Sequence, residues 1–228
     1  MIVEVKRLLV RLGLVLVVSC ASTLVQQACA QLTLDFDGLP NALVNFSGGG
    51  FTFENATNGY QFVIDGVQGG VGDSVGLDGY VSPGGPFTIG AITIAGPIQS
   101  APVTGTGTLH ITDASSTDLT GTIQWLDITT LGVGGILDLQ GTVNLTGIAY
   151  SGSNNDLGAL ASAGSASDVV TFQFVPAETL TQLKNTGGAT SYSGSITAIP
   201  GNEVPEPGTV TLVGMGLVSL LAFCHRRK

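Results

Sequence analysis

The sequence predicts an all-β domain, an antiparallel β-sandwich of the jelly-roll type with one or two short helices. Apolar and polar residues alternate in many short stretches, and clusters of Gly, Asn and Asp interrupt these stretches about every ten to fifteen residues. The chain is also rich in glycine and poor in charge, with 34 Gly and 10% charged residues. An amphipathic sheet has to cover its apolar face, and a second sheet packed against it is the simplest cover.

The alternation assigns an inward face to each predicted strand. In chain order, the residues expected to point into the core are Leu32, Leu34 and Phe36; Phe51 and Phe53; Tyr60, Phe62 and Ile64; Leu109 and Ile111; Val170, Phe172 and Phe174; and Tyr192, Ile196 and Ala198. His110 lies between two inward residues and is therefore expected on the outer face.

Two further stretches, Leu119–Ile128 and Leu139–Ile148, match each other at an offset of twenty residues. The match predicts two adjacent strands of similar design rather than a functional repeat. Ile123 and Val143 take equivalent inward positions in these strands, as do Trp125 and Leu145.

Helical signals are confined to two short stretches late in the domain. In the first, Pro176 is expected at the first helical position, Leu180 and Leu183 share a face, and Gly187 ends the helix. The second is residues 154–164, with the sequence NNDLGALASAG.

Residues 1–30 have the three parts of a secretory signal peptide. The basic part contains Lys6, Arg7 and Arg11, and the apolar part is Leu12–Val25. Ala28 and Ala30 are small residues of the kind that signal peptidase reads, so the mature chain is expected to begin at Gln31. An uncleaved membrane anchor and a lipoprotein acylated at Cys20 are the alternatives.

The C-terminus carries a second apolar run, residues 210–223, followed by the basic residues Arg226, Arg227 and Lys228. At 1.5 Å per residue, a helix over this run is about 21 Å long, against about 30 Å of membrane hydrocarbon. We therefore expect a short transmembrane helix. Its basic tail favours the cytoplasm, which leaves residues 31–203 outside.

The last 25 residues, 204–228, resemble the PEP-CTERM sorting signal of bacterial exported proteins. Val204, Pro205, Glu206 and Pro207 match its Val-Pro-Glu-Pro element, and the Gly-containing apolar helix and the Arg-rich end follow in order. The resemblance implies that an exosortase, a membrane cysteine protease, cuts the chain near Pro-Glu-Pro. Together with signal peptidase, this enzyme is the expected processing partner, in a bacterium that makes exopolysaccharide or a biofilm matrix.

The domain between the two signals is strongly acidic. Residues 31–203 contain fourteen acidic residues against one basic residue, Lys184, which gives a formal net charge of −13. Nucleic acid and anionic lipid are excluded as partners because both need neutralising cations. The domain contains no cysteine and a single histidine, so a disulfide framework and a His-rich metal site are excluded as well.

Acidic residues offer one candidate for a metal site. Asp35 and Asp37 could begin a Ca²⁺ site, and the oxygen-rich loops at residues 113–118 and 153–158 could supply further ligands. The spacing of EF-hand and RTX sites is absent, and a solvated strand face is the simpler explanation of the two carboxylates. Ca²⁺ therefore stays a possible cofactor, and no residue is assigned as a metal ligand.

No cluster of residues identifies a reaction. A Ser/His/Asp triad would have to use His110, and the chain has no Gly-x-Ser-x-Gly elbow. Two of the fourteen acids could act as a glycosidase pair, but nothing in the local sequence selects them. The remaining candidates are aromatic residues that could stack on a sugar or fill the core: Trp125, Tyr60, Tyr80, Tyr150 and Tyr192.

The sequence thus predicts a non-enzymatic, exported protein that is held briefly in the membrane, cut by an exosortase, and left at the cell surface or outside. A structural or adhesive role in an exopolysaccharide or biofilm context is expected. A carbohydrate-binding module for exopolysaccharide is the first alternative, and a glycoside hydrolase is the second.

Overall fold

The computed structural model describes residues 31–130, 139–176 and 178–199, which form an antiparallel all-β domain with two short helices. The strands are β1 (Thr33–Gly38), β2 (Val44–Ser47), β3 (Gly50–Phe53), β4 (Phe62–Gln68), β5 (Asp78–Ser82), β6 (Phe87–Ile89), β7 (Thr93–Ala95), β8 (Ile98–Thr104), β9 (Thr106–Thr112), β10 (Asp118–Thr130), β11 (Leu139–Ala149), β12 (Ser165–Phe172), β13 (Gly188–Thr190) and β14 (Tyr192–Ala198). The helices are α1 (Asn155–Ala163) and α2 (Leu180–Thr186).

Eight strands close into an antiparallel barrel in the order β10-β11-β12-β14-β1-β4-β5-β9, and β9 pairs with β10 again. The predicted all-β antiparallel class is confirmed, whereas the jelly-roll sandwich is not. Alternation fixes which face of each strand is apolar, but it leaves open what covers that face. In this structure, closing the sheet into a barrel buries much of the apolar face, because the inner faces of the eight strands pack against one another.

A second sheet in the order β13-β2-β3-β6-β8 joins the barrel through the pairing of β8 with β10. It packs Phe51 against Trp125, with ring centroids 4.8 Å apart, and Phe46 against Phe172, with centroids 5.5 Å apart. Because Trp125 and Phe172 point into the barrel, this sheet packs against residues of the barrel interior. The aromatic residues of both sheets therefore form one continuous core.

Most of the predicted inward residues are buried, and His110 lies on the outer face as expected. The two matched stretches form β10 and β11, which pair with each other over most of their length. The predicted inward position of Tyr60 is wrong. The strand β4 begins only at Phe62, so the alternation does not extend back to Tyr60, which lies beside Tyr80 on the outer face. Phe174 lies beyond the end of β12 and is only partly buried.

Both helices are capped by residues of their own sequence. The second predicted helix is confirmed as α1, in which the Asn154 side chain accepts a hydrogen bond from the Leu157 N–H and Gly164 ends the helix. The prediction for α2 is wrong at its start: Pro176 lies before the helix, which is capped by Thr179 instead. Thr179 and Gln182 form a reciprocal capping box, a signal that defines a helix start more closely than proline does.

The predicted signal peptide and the sorting segment, including the apolar run at 210–223, lie outside the described residues. Neither α1 nor α2 has the length and apolarity that a membrane-spanning helix needs.

Candidate functional site

The two ends of the described domain leave the barrel side by side. Thr33 near the start of β1 pairs with Thr197 near the end of β14, and the Gln31 side chain donates to the Ala198 carbonyl oxygen at 2.8 Å. Gln31, the predicted first residue of the mature chain, is thus attached to the sheet. The other predicted processing residues, Ala28, Ala30, Val204, Pro205, Glu206 and Pro207, and the basic tail, Arg226, Arg227 and Lys228, lie outside the described residues.

Asp35 and Asp37 lie on the outer face of β1, as the alternation predicts. The Asp35 carboxylate accepts a hydrogen bond from the Gln68 amide at 3.0 Å. Partial burial and the neighbouring Asp65 carboxylate raise the pKa of Asp37. Within the described ranges, no three His, Cys, Asp or Glu side chains are grouped closely enough to hold a metal ion. The described residues therefore supply no set of ligands for the predicted Ca²⁺ site.

The two oxygen-rich loops do meet, around the Tyr150 hydroxyl. This hydroxyl donates to Asp113 Oδ2 at 2.5 Å and accepts from the Asn154 N–H at 2.9 Å. Asp113 Oδ1 accepts from the Ser115 and Thr117 N–H groups at 2.8 Å each. The hydrogen bond from Tyr150, followed by those from the loop, lowers the pKa of Asp113 to about 2. The carboxylate fixes a turn in the way that an Asx motif does.

Asp156 ties a third loop to the same place. Its carboxylate is buried and accepts from the N–H groups of Val71, Gly72 and Ser74 at 2.7, 2.9 and 3.3 Å. In return, Asp73 accepts from the N–H groups of Asn155 and Asp156 at the start of α1. Since these acidic oxygens are hydrogen-bonded to the protein, the arrangement holds loops together at one end of the barrel.

The aromatic candidates separate into core and surface residues. Trp125 and Tyr192 are 3% and 5% exposed and belong to the core, and the Tyr192 hydroxyl donates to the Gln61 carbonyl oxygen at 2.8 Å. Tyr150 is held by the loop contacts described above. Tyr60 and Tyr80 are left as candidates for an external stacking surface.

These two tyrosines and His110 form an aromatic patch on the outside of the barrel. Tyr80 on β5 and His110 on β9 are cross-strand partners whose rings stack at 4.4 Å, and the Tyr60 ring meets Tyr80 edge-on at 6.0 Å. The His110 Nδ1 lies 3.3 Å from an Asp118 carboxylate oxygen. Burial, and then the charge of Asp118, raise the pKa of Tyr80. The patch is the described surface that fits the predicted sugar contact best.

The barrel interior contains a polar group that the sequence reasoning missed. Asp168 on β12 is 7% exposed and lines a cavity of about 20 Å³ together with Trp125, Gln61 and Tyr192. Desolvation raises the pKa of Asp168 to about 7. The alternation along β12 could have predicted that Asp168 points inward. One face of this strand carries Ala166, Asp168, Val170 and Phe172. No second carboxylate lines this cavity in the described structure, so Asp168 does not form the pair that a glycosidase uses.

Comparison with known protein families identifies the C-terminus. The model of the PEP-CTERM protein-sorting motif matches residues 203–228. The chain carries a PEP-CTERM protein-sorting motif. No curated protein and no solved structure matches the chain.

The PEP-CTERM motif confirms the resemblance drawn from residues 204–228. It implies an exported protein that an exosortase processes and that reaches a cell-surface or extracellular location. The motif spans only the sorting segment and carries no information on the chemistry of the barrel domain.

Proposed function

We propose that this protein is a non-enzymatic surface or matrix component, in which the PEP-CTERM motif delivers an acidic β-barrel to the outside of the cell for a structural or adhesive role. The observation that carries the proposal is the match of residues 203–228 to the sorting motif, directly behind a domain whose last strand ends at Ala198. Removing the tail takes away none of the described strands. The sorting motif and the described strands of the domain therefore occupy separate parts of the chain.

The charge of the domain supports a role outside the cell. Its single basic side chain, Lys184, donates to the Gly90 carbonyl oxygen, so it is engaged within the domain. The other charged side chains of the domain are all carboxylates, and a net negative charge keeps a protein soluble and repels other anionic polymers. A matrix partner is accordingly expected to be neutral, or to be bridged by divalent cations.

The sorting step is tested with a C-terminal epitope tag in a host with and without its exosortase. We expect the tag to be lost from the mature protein only when the enzyme is present, while an antibody against the barrel detects both forms. The variant Glu206→Ala should retain the tag in both hosts, and Glu203→Ala, just outside the Pro-Glu-Pro element, serves as the matched control. Equal retention of the tag in both hosts would remove the sorting claim.

A structural role is tested by deleting the gene and measuring the mass and mechanical strength of the biofilm. We expect a weaker matrix that is restored by the wild-type protein and not by a chain that lacks residues 204–228. A matrix of unchanged mass and strength would count against the structural role and leave the sorting result intact.

Carbohydrate binding is the second candidate, favoured by the aromatic patch of Tyr60, Tyr80 and His110. Its rings are partly exposed, and aromatic side chains next to a carboxylate are common at sugar sites. We expect binding to a neutral glycan array that Tyr60→Ala and Tyr80→Ala both weaken. Thr171→Ala, on the outer face of β12 across the barrel, is the control and should bind as the wild type does. Binding that survives both tyrosine variants would exclude this patch.

A further inference from the structure

Two polar atoms in the barrel core find no hydrogen-bond partner among the described residues. They are Nε1 of Trp125 and Oδ1 of Asp168, both fully shielded from solvent. Buried polar groups in folded proteins are almost always hydrogen-bonded, to protein or to an ordered water molecule, because a buried group without a partner has lost its hydrogen bonds to water and gained none in return. Two such atoms in one domain therefore need an explanation.

The two residues face the same space. Trp125 on β10 is the register partner of Val143 on β11, which in turn is the partner of Asp168 on β12. All three point inward and line the cavity of about 20 Å³. A cavity needs about 10–15 Å³ to hold one water molecule, and that water needs at least two polar partners. The size and the lining both fit a single water molecule.

We propose that the barrel core is a binding site for one water molecule and one proton: the water bridges the Trp125 indole N–H to Asp168 Oδ1, and Asp168 is held in its neutral carboxylic-acid form. The indole donates to the water oxygen, and the water donates to the carboxyl oxygen, so both orphan atoms are satisfied. A neutral acid suits this place, because the described residues of the lining include no cation.

Besides Asp168, the one titratable side chain among the described lining residues is Tyr192 on β14. Burial, and then the nearness of Asp168, raise the pKa of Tyr192 above its ordinary range, and its hydroxyl is already bonded to the Gln61 carbonyl oxygen. The Gln61 side-chain amide also has a hydrogen-bond partner already, because its oxygen accepts from the Val81 N–H at 2.8 Å. Between pH 5 and 9, Asp168 is therefore the group that can change charge in this site.

The chain offers a direct reporter, because Trp125 is its single tryptophan and supplies the one indole N–H signal. The experiment follows the ¹H–¹⁵N resonance of this indole in the full-length chain from pH 5 to 9. We expect a one-proton transition with a midpoint near pH 7, about three pH units above an ordinary Asp carboxyl. We also expect a nuclear Overhauser contact between the indole proton and a bound water.

Two variants complete the test. Asp168→Asn should fold and abolish the transition, and Asp127→Asn, an exposed acid two residues from Trp125 on the same strand, should leave it unchanged. If Asp168→Asn does not fold, Asp168→Ser takes its place, and the wild-type titration still decides the question. A flat indole resonance from pH 5 to 9 in the folded wild type, a transition that persists without Asp168, or an indole proton with no water contact would each overturn the proposal.

Discussion

Asp168 should make the stability of the barrel depend on pH, and the variant Asp168→Asn should remove that dependence. In the unfolded chain this carboxyl titrates at its ordinary pKa of 3.8, and in the folded barrel desolvation raises the value to about 7. Below about pH 4, both states are protonated and the acid carries no electrostatic penalty. Between pH 4 and 7, the unfolded state releases a proton that the folded state keeps, so the free energy of unfolding falls as the pH rises.

The magnitude follows from the shift of about three pH units. Each unit corresponds to about 1.4 kcal/mol, so the wild type loses about 4 kcal/mol between pH 4 and 7, and the loss is constant above pH 7. The asparagine variant carries no charge at this position. It should match the wild type near pH 4 and be more stable by up to about 4 kcal/mol at pH 8.

Urea unfolding followed by Trp125 fluorescence, repeated at half-unit steps from pH 4 to 8, measures this difference. Taking the variant minus the wild type cancels the contributions of the other acids, which the two proteins share. Asp127→Asn provides the matched control and should give a difference that does not change with pH. A pH-independent difference for Asp168→Asn would refute the reasoning, since it would show that the folded state does not hold an extra proton at this position.

Two further predictions concern the core and the loop contacts. Gly141→Ala places a methyl group against the six-membered ring of the Trp125 indole and should destabilise the barrel by about 1–3 kcal/mol in urea unfolding. Gly158 lies on a helix, and a methyl group added there meets open space. Gly158→Ala should therefore stabilise the domain by about 0.5–1 kcal/mol. Equal effects of the two alanines would contradict the packing argument. Tyr150→Phe removes the hydrogen bond that lowers the pKa of Asp113 to about 2, so we expect that pKa, followed by NMR of the carboxyl carbon, to rise towards 3.8. As the pH falls, the stability that Asp113 contributes is lost through its folded pKa, so acid unfolding should begin at a higher pH in this variant. An unshifted pKa would show that the turn amides alone hold the carboxylate.

The faces of the strands could be predicted because alternation is local. Leu109 and Ile111 are buried and His110 is not, as a period of two residues requires. The matched stretches Leu119–Ile128 and Leu139–Ile148 pair as β10 and β11, which also follows from their similar design. Each of these features depends on residues that are close in the chain.

Closure of the barrel could not be predicted in the same way. It depends on the pairing of β1 with β14, whose partners Thr33 and Thr197 are 164 residues apart. Strands of three residues, such as β6 and β13, are too short to show alternation, so these two strands of the second sheet could not be predicted from the sequence. Asp168 was missed for a different reason: acids are expected on outer faces, and this expectation outweighed the alternation of its own strand.

The pairing of β1 with β14 would keep the domain closed after the predicted cuts at both ends of the chain. Ala198 donates its N–H to Leu32, and Ile199 donates its N–H to Ser165, so the last described residues are part of the sheet. Four residues separate Ile199 from Val204, the first residue of the Val-Pro-Glu-Pro element. A cut near Pro-Glu-Pro therefore removes none of the residues in the described hydrogen-bonded ladder. A cut before residue 192 would instead remove β14 and open the ring. We infer that the protease has to act on the short segment after Ile199 if the delivered domain is to remain closed.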